Sequence, residues 1–281
     1  MKPEDFELFS TIVKQRSGLI LTPEKAYLLE SRLFPVARKY SMKSLEDMAA
    51  VVRAKREETL MFDITEAMTT NESFFFRDQK PFNLFQKVLL PQLLVAREAK
   101  KVIRIWSAAA SSGQEAYSLA MICTEQAAKL QGWKIDIVGT DLSREMVARA
   151  KAGIYSQFEV QRGLPVTHLV KYFQQIAGDK WQIKENIRQM VQFKEGNLLN
   201  NFGADGPFDI VLCRNVLIYF DLPTKTRVLS AIGEVMNHDA FLILGGAETV
   251  LGISDKFKIV SGEQGLYIKE SFNFVRTPTA A

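Results

Sequence analysis

Val102-Ile103-Arg104-Ile105-Trp106-Ser107-Ala108-Ala109-Ala110-Ser111-Ser112-Gly113-Gln114-Glu115 decides the fold. Its apolar opening reads as a buried strand, its small residues as a loop, and the periodicity that follows as a helix over about 114–130. The same order recurs. A strand is expected over 135–140, with Asp141, Ser143 and a helix through Lys151 behind it; another over 209–213 precedes a helix near 223–236 and a strand over 240–245. Alternation of this kind argues for an α/β fold with a parallel sheet covered on both faces.

Upstream of residue 80 the pattern is different. Phe6, Phe9, Ile12 and Val13, then Leu28, Leu29, Leu33 and Phe34, recur with helical spacing, so residues 1–70 form a small all-helical domain. Thr22-Pro23 and Ser44-Leu45-Glu46-Asp47 mark helix starts. Between the two regions stands Asn71-Glu72-Ser73-Phe74-Phe75-Phe76-Arg77-Asp78. The phenylalanines are expected to anchor a connector into the core, leaving Asn71, Ser73 and Arg77 facing a cleft; an Arg77 that caps a helix end or pairs with Asp78 is the alternative.

Composition excludes several classes. The 281 residues are 47% hydrophobic and 24% charged, as in soluble globular proteins, and no apolar stretch is long enough to span a bilayer. The N-terminus lacks the pattern of a secretory signal. Cys123 and Cys213 lie in apolar surroundings and are expected to stay reduced; the two histidines, His168 and His238, stand apart from them, so no metal site is expected. A net charge of +4 permits an acidic partner without demanding nucleic acid.

Open α/β sheets bind ligands outside the carboxyl ends of their strands. The loop 107–115 lets a ligand approach its backbone and ends at a helix N-terminus, although a plain tight turn has the same composition. Neither Gly-x-Gly-x-x-Gly nor Gly-x-x-x-x-Gly-Lys-Ser/Thr is present there, which argues against hydride transfer and NTP hydrolysis. Asp141 is placed to accept hydrogen bonds from ribose hydroxyls, or else to cap the following helix. Asn197 could face an adenine edge or merely form a turn. Arg214, Asn215 and Tyr219 fall at the sheet's carboxyl edge inside an apolar stretch, where polar groups need partners; Tyr219 could equally be a core aromatic with its hydroxyl satisfied.

The connector, the segment from Ile105 to Met121, Gly139-Thr140-Asp141-Leu142-Ser143 and Cys213-Arg214-Asn215-Val216-Leu217-Ile218-Tyr219-Phe220-Asp221 together resemble the CheR family of chemotaxis receptor methyltransferases. The resemblance runs from the helical domain to the last strands near Tyr267. It implies a Rossmann-like S-adenosylmethionine-dependent methyltransferase domain over 91–276, preceded by the helical domain and by a connector over 71–90 that contributes to the site. A small antiparallel β-subdomain is expected over about 176–195, and a tail over 277–281. Cofactor contacts would fall on Asn71, Ser73, Arg77, Gly113, Glu115, Asp141, Asn197, Leu198, Arg214 and Asn215, with Arg77 and Tyr219 facing the reacting methyl. Ser73, Ala110 and Ala116 stand where the family usually has Thr, Cys and Pro.

The implied reaction transfers a methyl group from S-adenosylmethionine to receptor glutamates, leaving glutamate methyl esters and S-adenosylhomocysteine, with no metal. A glutamate is ionised at neutral pH, so the attack needs alignment and exclusion of water rather than a general base. The partners implied are the cytoplasmic signalling helices of chemoreceptors, with no nucleic acid and no membrane insertion. A monomeric cytoplasmic protein, recruited to receptor arrays, is expected. Arg38, Lys43, Arg53, Lys55 and Arg56, with Arg32 and Lys39, form a basic face that could steer an acidic partner, or a merely solvated surface. The competing readings are a non-catalytic S-adenosylmethionine-binding adaptor and a methyltransferase for a small acid.

Overall fold

The computed structural model describes residues 1–55, 57–200 and 202–275. Arg56 and the tail 277–281 lie outside the described residues. Four helices open the chain: α1 (Pro3–Ser17), α2 (Ala26–Lys39), α3 (Leu45–Ala54) and α4 (Glu58–Ala67). Gly18 ends α1 in the left-handed region at φ 81°, donating its N–H to the Lys14 carbonyl. Ser44 caps α3 by accepting the Asp47 N–H. Thr22-Pro23 opens a 3₁₀ turn, Pro23–Lys25, rather than α2 itself, and the Thr22 hydroxyl bonds Glu24 instead of the helix backbone. Phe9, Val13, Leu29, Leu33, Met48 and Leu60 close one core. Phe34, one position round the helix from Leu33, is instead 43% exposed.

Among the described residues ten strands follow: β1 (Val102–Ala108), β2 (Lys134–Asp141), β3 (Ile154–Ser156), β4 (Phe173–Ile176), β5 (Lys180–Ile183), β6 (Val191–Glu195), β7 (Phe208–Cys213), β8 (Met236–Leu244), β9 (Phe257–Ile259) and β10 (Leu266–Lys269). Seven form one sheet in the order β6-β2-β1-β7-β8-β10-β9. The strands from β6 to β8 run parallel, and β10 is antiparallel to both of its neighbours. Helices α5 (Lys80–Leu84), α6 (Leu90–Ala96), α7 (Gln114–Glu125), α8 (Arg144–Ala152), α9 (Gln157–Gln161), α10 (Val166–Tyr172) and α11 (Glu185–Arg188) precede α12 (Leu222–Glu234). Side chains of α5 to α8 pack on one face of the sheet, and Val228, Leu229 and Ile232 of α12 on the other. The helix expected to reach Leu130 stops at Glu125 and continues only as turns.

The small antiparallel sheet exists, but with other members than expected. Its order is β3-β5-β4, whereas 191–195 joins the main sheet as β6, parallel to β2. Phe193 explains the difference: its ring fills space left by two glycines. A Cβ on Gly139 would approach it to 2.6 Å and one on Gly113 to 2.8 Å, so the ring that seats β6 against β2 and α7 needs glycine at both positions.

The helical domain docks on the carboxyl edge of the sheet. Ile20 N–H donates to the Tyr219 carbonyl at 3.0 Å, Glu66 accepts from the Ser143 hydroxyl and the Glu145 N–H, and the Arg144 guanidinium lies 3.7 Å from the Phe62 ring centroid. Lys14 pairs with Asp221 at 2.8 Å. The Lys14 ammonium and the Thr224 cap hold the Asp221 carboxyl down at about 2, below its unfolded value. A depressed carboxyl stabilises above its unfolded pKa and stops doing so as pH falls through the folded one. Asp221→Asn should therefore be less stable than the parent by a constant amount above about pH 5, with the gap narrowing as pH falls and closing only below about pH 2; a gap in denaturation midpoint that does not shrink between about pH 5 and about pH 2 would contradict this. Among the described residues no helix is long and apolar enough to cross a membrane.

Candidate functional site

A cleft of about 930 Å³, its open mouth included, lies over the carboxyl ends of β1, β2, β6 and β7, where the sheet order reverses. Asn71, Ser73, Arg77, Glu115, Asp141, Asn197, Leu198, Arg214, Asn215 and Tyr219 all line it. The connector reaches the cleft because Phe75 is fully buried between Tyr155 and Phe173, ring centroids 5.0 and 5.5 Å away. Phe76 packs on Phe82, while Phe74 remains half-buried at the cleft wall. Only one of the three phenylalanines is thus a full anchor. Arg77 donates to the Glu72 carbonyl at 2.8 Å and neither caps a helix nor pairs with Asp78 through its side chain.

The loop after β1 is more than a tight turn. Ala109 and Ser111 take positive φ values of 56° and 50°, a conformation that costs energy in residues with a Cβ and that recurs at binding sites. The Ser111 N–H so presented donates to Asp141 Oδ2 at 2.7 Å, and the Ser111 hydroxyl holds the Asn71 carbonyl at 2.8 Å. Gly113 does not line the cleft; its place is to start α7 in the left-handed region against Phe193.

Asp141 Oδ1 accepts the Ser143 N–H at 2.9 Å, but the cap of α8 is Ser143, which accepts from Met146. Burial pushes the Asp141 carboxyl upward, against the pull of the Ser143 and Ser111 N–H groups. Its remaining lone pairs can still receive hydroxyls from the cleft. Asp141→Ala is expected to weaken nucleoside binding by about 1–3 kcal/mol and also to lower stability, since two backbone donors lose their acceptor. Calorimetry and a melting curve together check this; unchanged affinity would leave Asp141 a purely structural residue.

Glu115, in the first turn of α7, accepts the Ser107 hydroxyl at 2.8 Å and Arg214 Nη1 at 2.7 Å. Arg214 Nη2 reaches the Arg77 carbonyl and Asp78, both at 2.8 Å. Its Nε is a buried donor with no partner among the described residues. Asn197 is partly diverted: its amide donates to the Arg16 carbonyl and its oxygen accepts the Leu199 N–H, as turn formation requires, although the residue still lines the cleft.

Glu248 escaped the sequence reading. Only 8% exposed, it accepts four backbone N–H groups: Gly245 and Asn215 on Oε2 at 2.7 and 2.8 Å, and Val216 and Leu217 on Oε1 at 2.9 and 2.7 Å. This one carboxylate shapes the loop that presents Arg214, Asn215 and Tyr219. Its position after β8, in Gly245-Gly246-Ala247-Glu248, was the available signal, since it too follows a strand's carboxyl end. Ser17, Leu19, Thr69 and Thr70 of the helical domain also line the cleft, which nothing in their local sequence announces.

The basic face is less uniform than its sequence suggests. Arg32 holds the Met68 and Thr69 carbonyls, Lys39 pairs with Asp63, and Arg53 pairs with Asp5. Arg38, Lys43 and Lys55 are exposed, with Lys43 and Lys55 at opposite ends of α3. Cys123 and Cys213 are buried and not joined in a disulfide; burial pushes the Cys123 thiol up to about 12 and that of Cys213 well above its ordinary value.

A parallel sheet that reverses its order at β1 and β7, a turn without the diphosphate-binding glycines and an acidic residue closing β2 define a nucleoside-binding methyltransferase domain. Comparison with known proteins agrees. The family model "CheR methyltransferase, SAM binding domain" matches residues 71–266, and "CheR methyltransferase, all-alpha domain" matches residues 4–64. Chemotaxis protein methyltransferases of Vibrio parahaemolyticus and Vibrio anguillarum are 36% and 37% identical over 268 residues, covering 95% of this chain and 96% of theirs. Chemotaxis protein methyltransferase 1 of Pseudomonas aeruginosa is 38% identical over 265 residues, 93% of this chain and 96% of its own. The chain belongs to the CheR methyltransferase family, and it is a methyltransferase of chemotaxis that uses S-adenosylmethionine.

Proposed function

We propose that this chain methylates glutamate side chains of bacterial chemoreceptors, converting carboxylates to γ-glutamyl methyl esters. The observation that carries this is the cleft's lack of a proton acceptor free to act. No histidine lines it among the described residues, and each carboxylate that does is engaged: Glu115 by Arg214 and Ser107, Asp141 by two N–H groups, and Glu72 by Arg162. An ionised carboxylate is an acceptor that needs no such base.

The residues present fit the cofactor. Asp141 would take the ribose hydroxyls, Leu198 and Asn197 would flank the base, and Glu115 and Arg214 offer opposite charges to the ammonium and carboxylate of the amino-acid end. The unpartnered Arg214 Nε suits a site completed by a ligand. When bound, S-adenosylmethionine supplies an electrophilic methyl on a sulfonium. Arg77 and the Tyr219 hydroxyl then orient cofactor and acceptor. Transfer to a carboxylate oxygen would break the carbon–sulfur bond, release S-adenosylhomocysteine and move no proton, which leaves alignment as the task of Arg77 and Tyr219. Opposite charges would cancel in that step, so the apolar wall formed by Leu198, Val216 and Phe220 favours it once the acceptor is aligned.

The exposed Arg38, Lys43 and Lys55 would steer acidic receptor helices with a rate that falls as salt rises. This reading places the protein, as a monomer, in the cytoplasm at receptor arrays. Incubation with methyl-labelled S-adenosylmethionine and chemoreceptor membranes should put label on the receptor that mild alkali releases. Alkali-stable label, or transfer to small acids that survives removal of residues 1–70, would overturn it.

A further inference from the structure

A single ring links Arg77 to a residue far along the chain. The Arg77 guanidinium lies 5.5 Å from the Phe74 ring centroid, and that of Arg162 lies 4.4 Å from the same ring. Arg162, in the turn between α9 and α10, also pairs with Glu72 Oε1 at 2.6 Å, while the Glu72 carbonyl accepts from Arg77. Two cations therefore share one aromatic face system and one residue, with the Glu72 carboxylate offsetting their repulsion.

The contact is built in by the backbone. Gly163 has φ +82°, and a Cβ there would fall 2.1 Å from the Phe75 carbonyl oxygen and 3.0 Å from Phe74 Cδ2. No other residue type lets this turn press so closely on the connector. Arg162 itself does not line the cleft, whereas Arg77, Phe74 and Glu72 do.

We propose that Arg162 is a positioning residue: through the Phe74 ring and Glu72 it sets the direction of the Arg77 guanidinium, and so how firmly the cleft holds S-adenosylmethionine. The inference rests on Arg77 acting toward the cofactor, as in the function proposed above, but not on the identity of the methyl acceptor. Without Arg162, Phe74 loses one of its two cations and Glu72 its hydrogen-bonded ion-pair partner, and Arg77 regains rotamers that the cleft cannot use.

The test is a double-mutant cycle on S-adenosylmethionine affinity, measured by calorimetry on the full chain. Arg162→Ala is expected to weaken binding by about 3- to 10-fold, and Arg77→Ala/Arg162→Ala to bind no worse than Arg77→Ala alone. Arg162→Lys, which keeps the charge beside Glu72 but lacks a planar group for Phe74, should fall between Arg162→Ala and the parent. A melting curve reports folding, and if Arg162→Ala fails to fold the same cycle is run with Arg162→Lys. Unchanged affinity in Arg162→Ala or in Arg77→Ala, or single losses that multiply in the double variant, would overturn the proposal. Because no acceptor enters this measurement, failure to esterify a receptor would strike the glutamate reading alone.

Discussion

Glu248→Gln should destabilise the protein by about 2–5 kcal/mol, because at least two buried N–H groups lose their acceptor. The substitution keeps size and shape but replaces one acceptor oxygen by an NH₂ group. Whichever way the amide turns, it meets either Gly245 and Asn215 or Val216 and Leu217 with a donor facing donors. The loop so released contains Asn215, held at φ 58°, a conformation Asn tolerates better than most residues but one that the Glu248 contacts fix here. Arg214 and Tyr219 flank it, so cofactor affinity and turnover should fall together with stability. Urea denaturation would show a lower midpoint at an unchanged slope. A variant as stable as the parent would mean that these N–H groups find water instead.

Arg77→Ala is expected to do the opposite, leaving the fold intact while reducing methyl transfer by roughly a hundredfold or more through lost alignment. The side chain contributes one hydrogen bond to the Glu72 carbonyl and a contact with the Phe74 ring, both at the surface of the cleft, so little stability depends on it. Its backbone carbonyl, which accepts from Arg214, is unaffected by the change. Steady-state kinetics beside a melting curve separates the two effects. Turnover near that of the parent would remove Arg77 from the transfer step and leave Tyr219 as the group to examine.

Most of the cleft was legible as strand-end loops. Asp141 closes β2, Arg214 and Asn215 directly follow β7, and Glu115 and Tyr219 stand a few residues past β1 and β7, so locating the strands located them. Glu248 was overlooked although the same rule covers it, because an acidic residue after two glycines looks like any exposed turn until its four donors are in place. The space that Gly113 leaves is taken by Phe193, a residue eighty positions away whose side chain no local pattern connects to it.

By itself the sequence determined the helical domain, the parallel α/β domain, the family and the order in which the binding loops occur. These follow from apolar periodicity and from short motifs, both of which are local properties of the chain. Only the tertiary structure decided which strands share a sheet, since the alternating run 191–195 would suit the small antiparallel sheet as well as the edge of the large one. It likewise decided that Ser17, Leu19 and Thr69 close the cleft, that the Asn197 amide is shared with Arg16, and that Arg162 meets Arg77 on one ring. Such pairings depend on shape and spacing between distant segments, and periodicity shows which face of a segment is apolar without naming what will cover it.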